Sequence, residues 1–372
     1  MLGIVLEYDV PSVSPGRHCG GGLSMTAEKR LPFASDYQQG AHPRILERLA
    51  AANMEANAGY GTDVHSEHAR EFIRDACGAP QAEVHFLVGG TQANAVTIDA
   101  LLAPWQGVVA ADSGHVSVHE AGAIEACGHK VIQLPERDGK LGAADVDALA
   151  TSWEQDENRD HMVMPGPVYI SQPTEYGTLY SLEELTALRT ACDAHGMRLY
   201  VDGARLAYAL SAPGNDVALA DLARLADAFY IGGTKCGALL GEAVVFPKPG
   251  TCPHFFTLVK QHGALLAKGM VAGIQFETLF DDGLYLQIGQ IAVEQAGRIA
   301  RAFGDAGCEL MYPQQTNQVF VALDEKRYAT LSARVEMSFW EHLADSRTAV
   351  RLATSWATVD EDVDELVALL RD

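Results

Sequence analysis

A lysine and an aspartate each stand directly after an apolar run of this sequence. Lys235 lies in segment 232–237 (GGTKCG), where its small neighbours leave room for a ligand close to the backbone. Asp202 opens segment 202–205 (DGAR) upstream. Both apolar runs are typical of buried strands, and open α/β sheets bind ligands beyond the carboxyl ends of their strands. The two side chains are therefore predicted to belong to one site.

This pair has the chemistry that pyridoxal 5'-phosphate requires. A lysine amine forms a Schiff base with the aldehyde of that cofactor, and a carboxylate keeps its ring nitrogen protonated so that the ring can accept electrons. We therefore predict that Lys235 is the catalytic lysine and that Asp202 is the partner of the ring nitrogen.

A third segment has the form of a phosphate cradle. Residues 89–94 (GGTQAN) follow an apolar run and open a pattern typical of a helix. The amides at a helix N-terminus bind phosphate, so Gly90, Thr91 and Gln92 are predicted cofactor ligands. The alternative is an ordinary turn in which Thr91 caps the helix.

A histidine follows the next apolar run. His115 ends segment 112–115 (DSGH), and its flat ring could stack on the cofactor and reach the substrate. Glu120 could orient that ring or cap the following helix. A purely structural histidine is the alternative.

The order and spacing of these segments resemble the low-specificity threonine aldolases of the β-eliminating lyase superfamily. That family consists of pyridoxal-phosphate enzymes of fold type I. The resemblance extends from about residue 33 to the C-terminus and implies a homo-oligomer, a dimer or tetramer, with its active sites at a subunit interface. Its motifs here are GGTQAN at 89–94, His115 with EAG at 120–122, DGARL at 202–206, and Lys235.

The resemblance implies roles for further residues. Ser35, Arg205 and Arg351 would bind the substrate carboxylate, and a guanidinium can do so through two parallel hydrogen bonds. Arg205 would also belong to the cofactor site. Residues 60–63 (YGTD) would lie near the site across a subunit interface, and Lys268 would reach a neighbouring subunit's phosphate. The alternatives are a strand-end surface charge for Arg351 and an exposed helix position for Lys268.

The sequence departs from the family's pattern in two places. Where the family often has a histidine that is proposed to handle the proton of the substrate hydroxyl, segment 172–177 (QPTEYG) has Glu175 or Thr174. In addition, Lys235 is followed by Cys-Gly rather than the commoner Gly-Leu-Gly. The predicted base for the hydroxyl is therefore left open between His115 and Glu175.

The elements that would position these residues alternate along the chain. Alternating strands and helices favour a mostly parallel seven-stranded sheet between helices, the α/β architecture of fold type I transferases. Strands are predicted at 84–88, 107–110, 130–134, 162–170, 198–201, 228–231 and 242–246. Helices are predicted at 45–53, 66–77, 92–102, 182–195, 217–226, 263–279 and 285–306. Strands at 318–323 and 349–354 and a helix at 363–370 then predict a small α+β C-terminal domain.

We expect three segments in the chain. Prolines and glycines break any regular pattern in residues 1–30, which we interpret as a flexible leader, with a strand at 3–8 as the alternative. Residues 31–280 would form the large cofactor-binding domain, and their first part, 31–45, would be an arm that contributes to the site. Residues 281–372 would form the small domain.

Composition excludes several other classes of protein. The 27 basic and 49 acidic residues give a net charge of −22, which would repel nucleic acid. No apolar run reaches the roughly 18 residues of a membrane span, so no membrane partner is expected. The seven cysteines are scattered, which fits neither a disulfide framework nor a zinc site and indicates a cytoplasmic protein. His65 and His68 have no closed set of acids around them, so no metal is expected.

The predicted activity is cleavage of a β-hydroxy-α-amino acid of the threonine or allo-threonine type into glycine and an aldehyde. Two alternatives keep the cofactor and change the bond that breaks: β-elimination, or amino transfer, on a small amino acid. A more distant alternative is a non-catalytic protein that binds the cofactor or another partner. A nucleotide-binding protein is disfavoured because the glycine-rich dinucleotide motif and the Walker lysine motif are both absent from the sequence.

Overall fold

The computed structural model describes residues 30–371, so the predicted leader lies outside the described residues up to position 29. Thirteen strands and fourteen α-helices follow one another along these residues. The strands are β1 (Leu31–Pro32), β2 (Glu83–Leu87), β3 (Gln106–Ala111), β4 (Lys130–Leu134), β5 (Met164–Ser171), β6 (Leu199–Asp202), β7 (Ala228–Gly232), β8 (Glu242–Phe246), β9 (Glu309–Leu310), β10 (Gln318–Leu323), β11 (Val335–Glu336), β12 (Ser338–His342) and β13 (Thr348–Ala353). The helices are α1 (Pro43–Ala51), α2 (Val64–Ala76), α3 (Gly90–Leu101), α4 (His115–Val118), α5 (Ala123–Ala126), α6 (Ala143–Gln155), α7 (Leu182–Ala194), α8 (Leu206–Leu210), α9 (Leu219–Leu225), α10 (Phe255–Gln261), α11 (Met270–Phe280), α12 (Leu284–Asp305), α13 (Glu325–Arg334) and α14 (Asp360–Leu369).

A seven-stranded sheet forms the centre of the first part of the chain, in the order β2-β8-β7-β6-β5-β3-β4. Only β8 runs antiparallel to its neighbours, so the other six strands point the same way. All five residues of β7 and of β8 are buried, as expected of strands covered by helices on both faces. The predicted mostly parallel seven-stranded sheet is confirmed.

The two faces of this sheet contribute to two different cores. Along β7, Phe229 and Ile231 pack into one core, whereas Tyr230 packs into the other, as the two-residue repeat of a strand requires. The first core also contains Phe276 of α11, and the second contains Phe255 of α10. The carboxyl ends of the parallel strands, where the predicted site residues lie, therefore open between helix layers.

A second, antiparallel sheet, β12-β13-β10-β9, forms the C-terminal part with α12, α13 and α14. Its core includes Phe303 of α12 and Leu366 of α14. Leu31 and Phe33 pack into this same core, because β1 pairs in parallel with β11. We propose the domain boundary near residue 280, immediately before α12, whose Ile288 packs into the first core of the large sheet.

The predicted helix at 263–279 is wrong in its first part. Helix α10 ends at Gln261, and Gly263 adopts a left-handed φ of 67°, which ends helices and is easily adopted only by glycine. The chain then turns before α11 begins at Met270. Lys268 therefore lies in an exposed turn and not on a helix. Helices α6 and α13 and strand β12 are further elements that the apolar pattern did not indicate. No helix in the described range 30–371 is long and apolar enough to cross a membrane.

Candidate active site

A cavity of about 300 Å³ opens at the carboxyl edge of the seven-stranded sheet. This volume is at the lower end of the range typical of small-molecule sites, roughly 300–1,000 Å³. Its lining contains the following predicted site residues: Gly90, Thr91, His115, Glu175, Asp202, Arg205 and Lys235. The structure thus brings together residues that are far apart in sequence, because the ends of parallel strands meet at one edge.

Glycines allow the two central motifs to approach each other. A Cβ on Gly203 would lie 2.0 Å from the carbonyl oxygen of Tyr230, and one on Gly232 would lie 2.3 Å from the carbonyl oxygen of Ala204. The Gly232 amide donates a hydrogen bond of 2.9 Å to the Gly203 carbonyl. Side chains at either position would separate the loops that carry Asp202 and Lys235.

Asp202 is held firmly at the end of β6. It is 4% exposed, and its Oδ2 accepts hydrogen bonds from the Asn94 side chain at 2.9 Å and the Tyr169 hydroxyl at 2.7 Å. Its Oδ1 accepts a bond of 2.9 Å from the Ala204 amide. The carboxylate is thus oriented before any ligand binds, as the predicted partner of a ring nitrogen should be.

His115 is tied to the same network. Its Nδ1 lies 2.8 Å from Oε1 of Glu120, a buried carboxyl that also accepts a bond of 2.7 Å from Asn94. Burial alone would lower the pKa of His115, but the hydrogen bond to Glu120 and the charges of Glu175 and Asp202 outweigh it and raise that pKa. Burial raises the pKa of Glu120 itself. Asn94 therefore links Asp202 to Glu120, and through Glu120 to His115.

Arg205 is engaged within the protein by a residue that sequence reasoning missed. Its Nε and Nη2 donate to the two carboxylate oxygens of Asp36 at 2.6 and 3.1 Å, and Asn317 donates to the same carboxylate at 2.9 Å. Both partners are buried. Despite the opposing effect of burial, Asp36 raises the pKa of Arg205, and Arg205 lowers that of Asp36. The ion pair uses two of the five guanidinium N–H groups, so both of those on Nη1 and one on Nη2 remain for a substrate carboxylate.

Arg351 has a different environment. It lies inside β13, where it donates long hydrogen bonds to the Gln318 side chain at 3.3 Å and to the Ala34 carbonyl and Ser338 hydroxyl at 3.4 Å. Within residues 30–371 no carboxylate pairs with it, and its buried Nε has no partner. Burial, with the nearby charge of Arg205, lowers its pKa. Arg351 thus lies within a strand and is partly buried, so it is not a strand-end surface charge, and a partly buried guanidinium without an anion is a suitable site for one.

An outer cavity of about 610 Å³ continues from the first and shares Lys235, Arg205 and Glu175 with it. Arg351 lines it together with aromatic residues, among them Tyr176 and Trp340. His119, which sequence reasoning did not assign, also lines it, with its ring centroid 5.7 Å from that of His115. Burial and the neighbouring His115 lower the pKa of His119. The outer cavity thus combines cationic, titratable and aromatic groups.

Glu175 lines both cavities, and the Ser171 hydroxyl donates a bond of 2.8 Å to its Oε1. Three other predicted residues line neither cavity. Ser35 is buried and accepts a bond of 3.3 Å from the Tyr37 amide, and Gln92 bonds to the Val88 amide at 3.0 Å. The third, Lys268, lies in the exposed turn before α11. The direct ligand roles predicted for these three remain predictions.

Two more residues of the site were missed. Asn94 is one turn into α3, inside the quoted GGTQAN motif, and a buried amide on a helix face is the signal that could have identified it. Glu242 begins β8 and lines the first cavity beside Lys235 and Thr234. Burial raises the pKa of Glu242 to about 8. A lone acid at the start of an apolar strand was its only signal in the sequence.

The cofactor that the lysine–aspartate pair predicts fits the first cavity. At one end, a Cβ on Gly90 would lie 3.1 Å from the Tyr230 hydroxyl, a tight contact, so a glycine here leaves room at the N-terminus of α3. Elsewhere in the lining lie the fixed carboxylate of Asp202, the ring of His115 and Lys235. A phosphate, a ring nitrogen and an aldehyde would each find a chemically suitable partner.

The fold and this donor set define a pyridoxal-phosphate enzyme of fold type I. The model of the family named beta-eliminating lyase matches residues 32–326, and the chain belongs to that family. It is therefore a lyase that depends on pyridoxal phosphate.

The chain is similar to several named proteins of this group. It is 30% identical over 343 residues to the low specificity L-threonine aldolase of Pseudomonas aeruginosa, covering 91% of this chain and 96% of that one. To the low specificity L-threonine aldolase of Saccharomyces cerevisiae it is 25% identical over 310 residues, covering 80% and 76%. The solved structure of Leishmania major threonine aldolase superposes with a TM-score of 0.89 at 43% identity, covering 91% of this chain and 98% of that one. A Thermus thermophilus aspartate aminotransferase shares the fold at 17% identity, with a TM-score of 0.66 and coverage of 91% and 90%.

Proposed function

We propose that this protein is an aldolase that cleaves a β-hydroxy-α-amino acid of the threonine or allo-threonine type into glycine and an aldehyde. The observation that carries the proposal is the outer cavity, which is lined both by Lys235 and by a partly buried guanidinium without an anion, that of Arg351. Titratable side chains that could accept a hydroxyl proton line the same cavity. The names of the relatives support the same reaction.

The cofactor would be held by the residues of the first cavity. Gly90 and Thr91 would bind its phosphate, Asp202 its ring nitrogen and Lys235 its aldehyde carbon. When bound, pyridoxal phosphate supplies an electron sink for the pair left on Cα as the Cα–Cβ bond breaks.

The protein's own part is to orient the substrate and move protons. Arg351, with the remaining N–H groups of Arg205, would bind the substrate carboxylate and thereby fix which bond at Cα can break. The network through Glu120 holds His115, whose raised pKa keeps a larger fraction of it protonated and so unable to accept a proton. His119 has a lowered pKa and is therefore neutral near pH 7. His115, His119 and Glu175 all line the outer cavity, and because His115 is the more protonated histidine we assign the hydroxyl proton to His119 or Glu175.

We also propose a homo-oligomer with shared active sites. The Tyr60 amide donates a bond of 3.0 Å to the Ala267 carbonyl, so loop 60–63 and the turn that carries Lys268 pack together. Neither lines the two cavities of its own chain. This placement supports the prediction that both segments serve a neighbouring subunit. That the oligomer is a dimer or a tetramer, and that the protein is cytoplasmic, remain predictions.

The proposed reaction is tested by product analysis. The purified protein should show the absorption typical of a lysine-bound pyridoxal cofactor, and Lys235→Ala should lose the adduct that borohydride traps. Incubation with threonine, allo-threonine and phenylserine should yield glycine and the matching aldehyde. A bound cofactor with pyruvate and ammonia from serine, or with amino transfer to a keto acid, and with no glycine from these substrates, would show that the aldolase proposal is wrong.

A further inference from the structure

Glu242 is a buried acid of the first cavity that the proposed reaction does not use. It begins β8, where the backbone register places it opposite Leu87 at the end of β2 and Gly232 at the end of β7. The residue is 3% exposed, and its Oε2 accepts a bond of 3.1 Å from the Gly233 amide. Its carboxyl therefore lies between the strand that leads into α3 and the loop that carries Lys235.

The surroundings of this carboxyl are arranged for an anion. The cavity brings Glu242 together with Gly90 and Thr91 at the N-terminus of α3, whose first amides have no partner within the helix. Tyr230 is 1% exposed, its hydroxyl faces Gly90, and within residues 30–371 that hydroxyl has no hydrogen-bond partner. Thr234 adds a second hydroxyl to the lining. An ionised carboxylate at this position would repel a phosphate, whereas a protonated one could donate to it.

Burial favours the protonated form of Glu242. Burial raises its pKa to about 8, and the negative charge of Asp202 adds to this increase. The Thr234 hydroxyl, the Lys235 ammonium and the Gly233 amide each lower the pKa, but burial outweighs them. The other titratable groups that sense its charge are the hydroxyls of Tyr200, Tyr230 and Tyr285 and the thiol of Cys236. All four of these groups have raised pKa values through burial and are neutral at pH 7.

We propose that Glu242 binds the phosphate of the cofactor as a neutral carboxylic acid, donating a hydrogen bond beside the amides of α3 and the Tyr230 hydroxyl. This inference rests on the proposed cofactor site and is independent of the aldolase reaction. Because the bound form requires the proton on Glu242, affinity for the phosphate falls as pH rises past the pKa of this group, by up to about tenfold per pH unit.

The test uses the full chain freed of cofactor and titrated with pyridoxine 5'-phosphate, which has an alcohol in place of the aldehyde and cannot bond covalently to Lys235. Calorimetry from pH 7 to 9.5 should show affinity falling at least tenfold in the original protein. Glu242→Gln, which keeps a neutral donor, should bind pyridoxine 5'-phosphate equally well at pH 7, and its affinity should decrease much less as the pH rises. Equal pH profiles for the two proteins would overturn the proposal.

A second measurement needs no variant. At pH 8.5, calorimetry in buffers of different ionisation enthalpy should show that pyridoxine 5'-phosphate takes up more protons on binding than pyridoxine does, by up to one proton, because the two compounds share the ring nitrogen and differ in the phosphate. Equal uptake with both compounds, or none with either, would contradict the role of Glu242. Failure to cleave threonine would leave these binding results unchanged, so the two proposals fail separately.

Discussion

Arg205 and Asp36 form a two-bond ion pair that is buried, although 169 residues separate them in the chain. Asp36 follows strand β1, which forms a two-stranded sheet with β11 in the C-terminal part of the protein. Arg205 follows β6, the central strand of the seven-stranded sheet. The pair therefore joins the two parts of the protein at the floor of the cavity. It also sets the direction of the guanidinium that was predicted to bind substrate.

Removing one partner of this pair should destabilise the protein strongly. Asp36→Asn would leave the Arg205 guanidinium buried without its counter-ion, which costs about 3–5 kcal/mol in buried pairs. The control is Asp193→Asn, which breaks an ion pair of 2.9 Å whose acid is 69% exposed and should cost under about 1 kcal/mol. Denaturant midpoints of both variants check the prediction, and equal midpoints would contradict it.

Replacing Glu120 should lower the pKa of His115. The hydrogen bond of 2.8 Å to Glu120 opposes the effect of burial, so Glu120→Gln leaves burial to dominate. In the original protein, the stabilisation from this raised pKa is present below the unfolded pKa of histidine, near 6.5, and is lost as pH rises through the folded value. NMR titration of labelled histidines measures the shift. The exposed Glu125→Gln should change nothing, and an unchanged His115 in Glu120→Gln would show that Glu120 does not set its pKa.

Replacing Arg351 should mainly weaken substrate binding. Arg351→Lys keeps the charge but loses the two-bond geometry, which is worth roughly 1.5–3 kcal/mol for a charged partner, or about 10- to 150-fold in kcat/KM. The loss should appear largely as a raised KM for threonine. Arg334→Lys, an exposed arginine paired with Glu365 at 2.7 Å, is the matched control. A kcat/KM of Arg351→Lys equal to that of the control would remove Arg351 from the carboxylate site.

The base for the substrate hydroxyl can be assigned from pH profiles. Burial lowers the pKa of His119. Above that pKa the ring is deprotonated and can accept the hydroxyl proton, whereas below it the ring is protonated and cannot. His119→Asn should reduce kcat/KM about 100-fold or more and remove the acid limb of the profile. The control is His161→Asn, at an exposed position, which should retain both the original kcat/KM and the acid limb of the profile. If Glu175→Gln abolishes cleavage while His119→Asn retains the limb, Glu175 is the base instead.

Local signals in the sequence were sufficient for the centre of the site. Lys235 and Asp202 each follow a continuous apolar run, and such runs are buried strands wherever helices cover both faces of a sheet. The carboxyl ends of parallel strands lie at one common edge of the sheet. The residue types and their positions after the strands therefore predicted that Lys235 and Asp202 lie in one site. The strands at 130–134, 242–246 and 318–323 were predicted with the bounds that the structure has.

What the sequence by itself determined is the pairing of a lysine with an acid at strand ends, and with it the cofactor and the fold. Tertiary structure alone decided which groups surround that pair: Asp36 on Arg205, Asn94 between Glu120 and Asp202, and Glu242 beside the predicted phosphate cradle. The physical reason is that strand identity depends on neighbouring residues, whereas these contacts depend on strand register and on loops folding back over long separations. No local pattern of residue types carries that information.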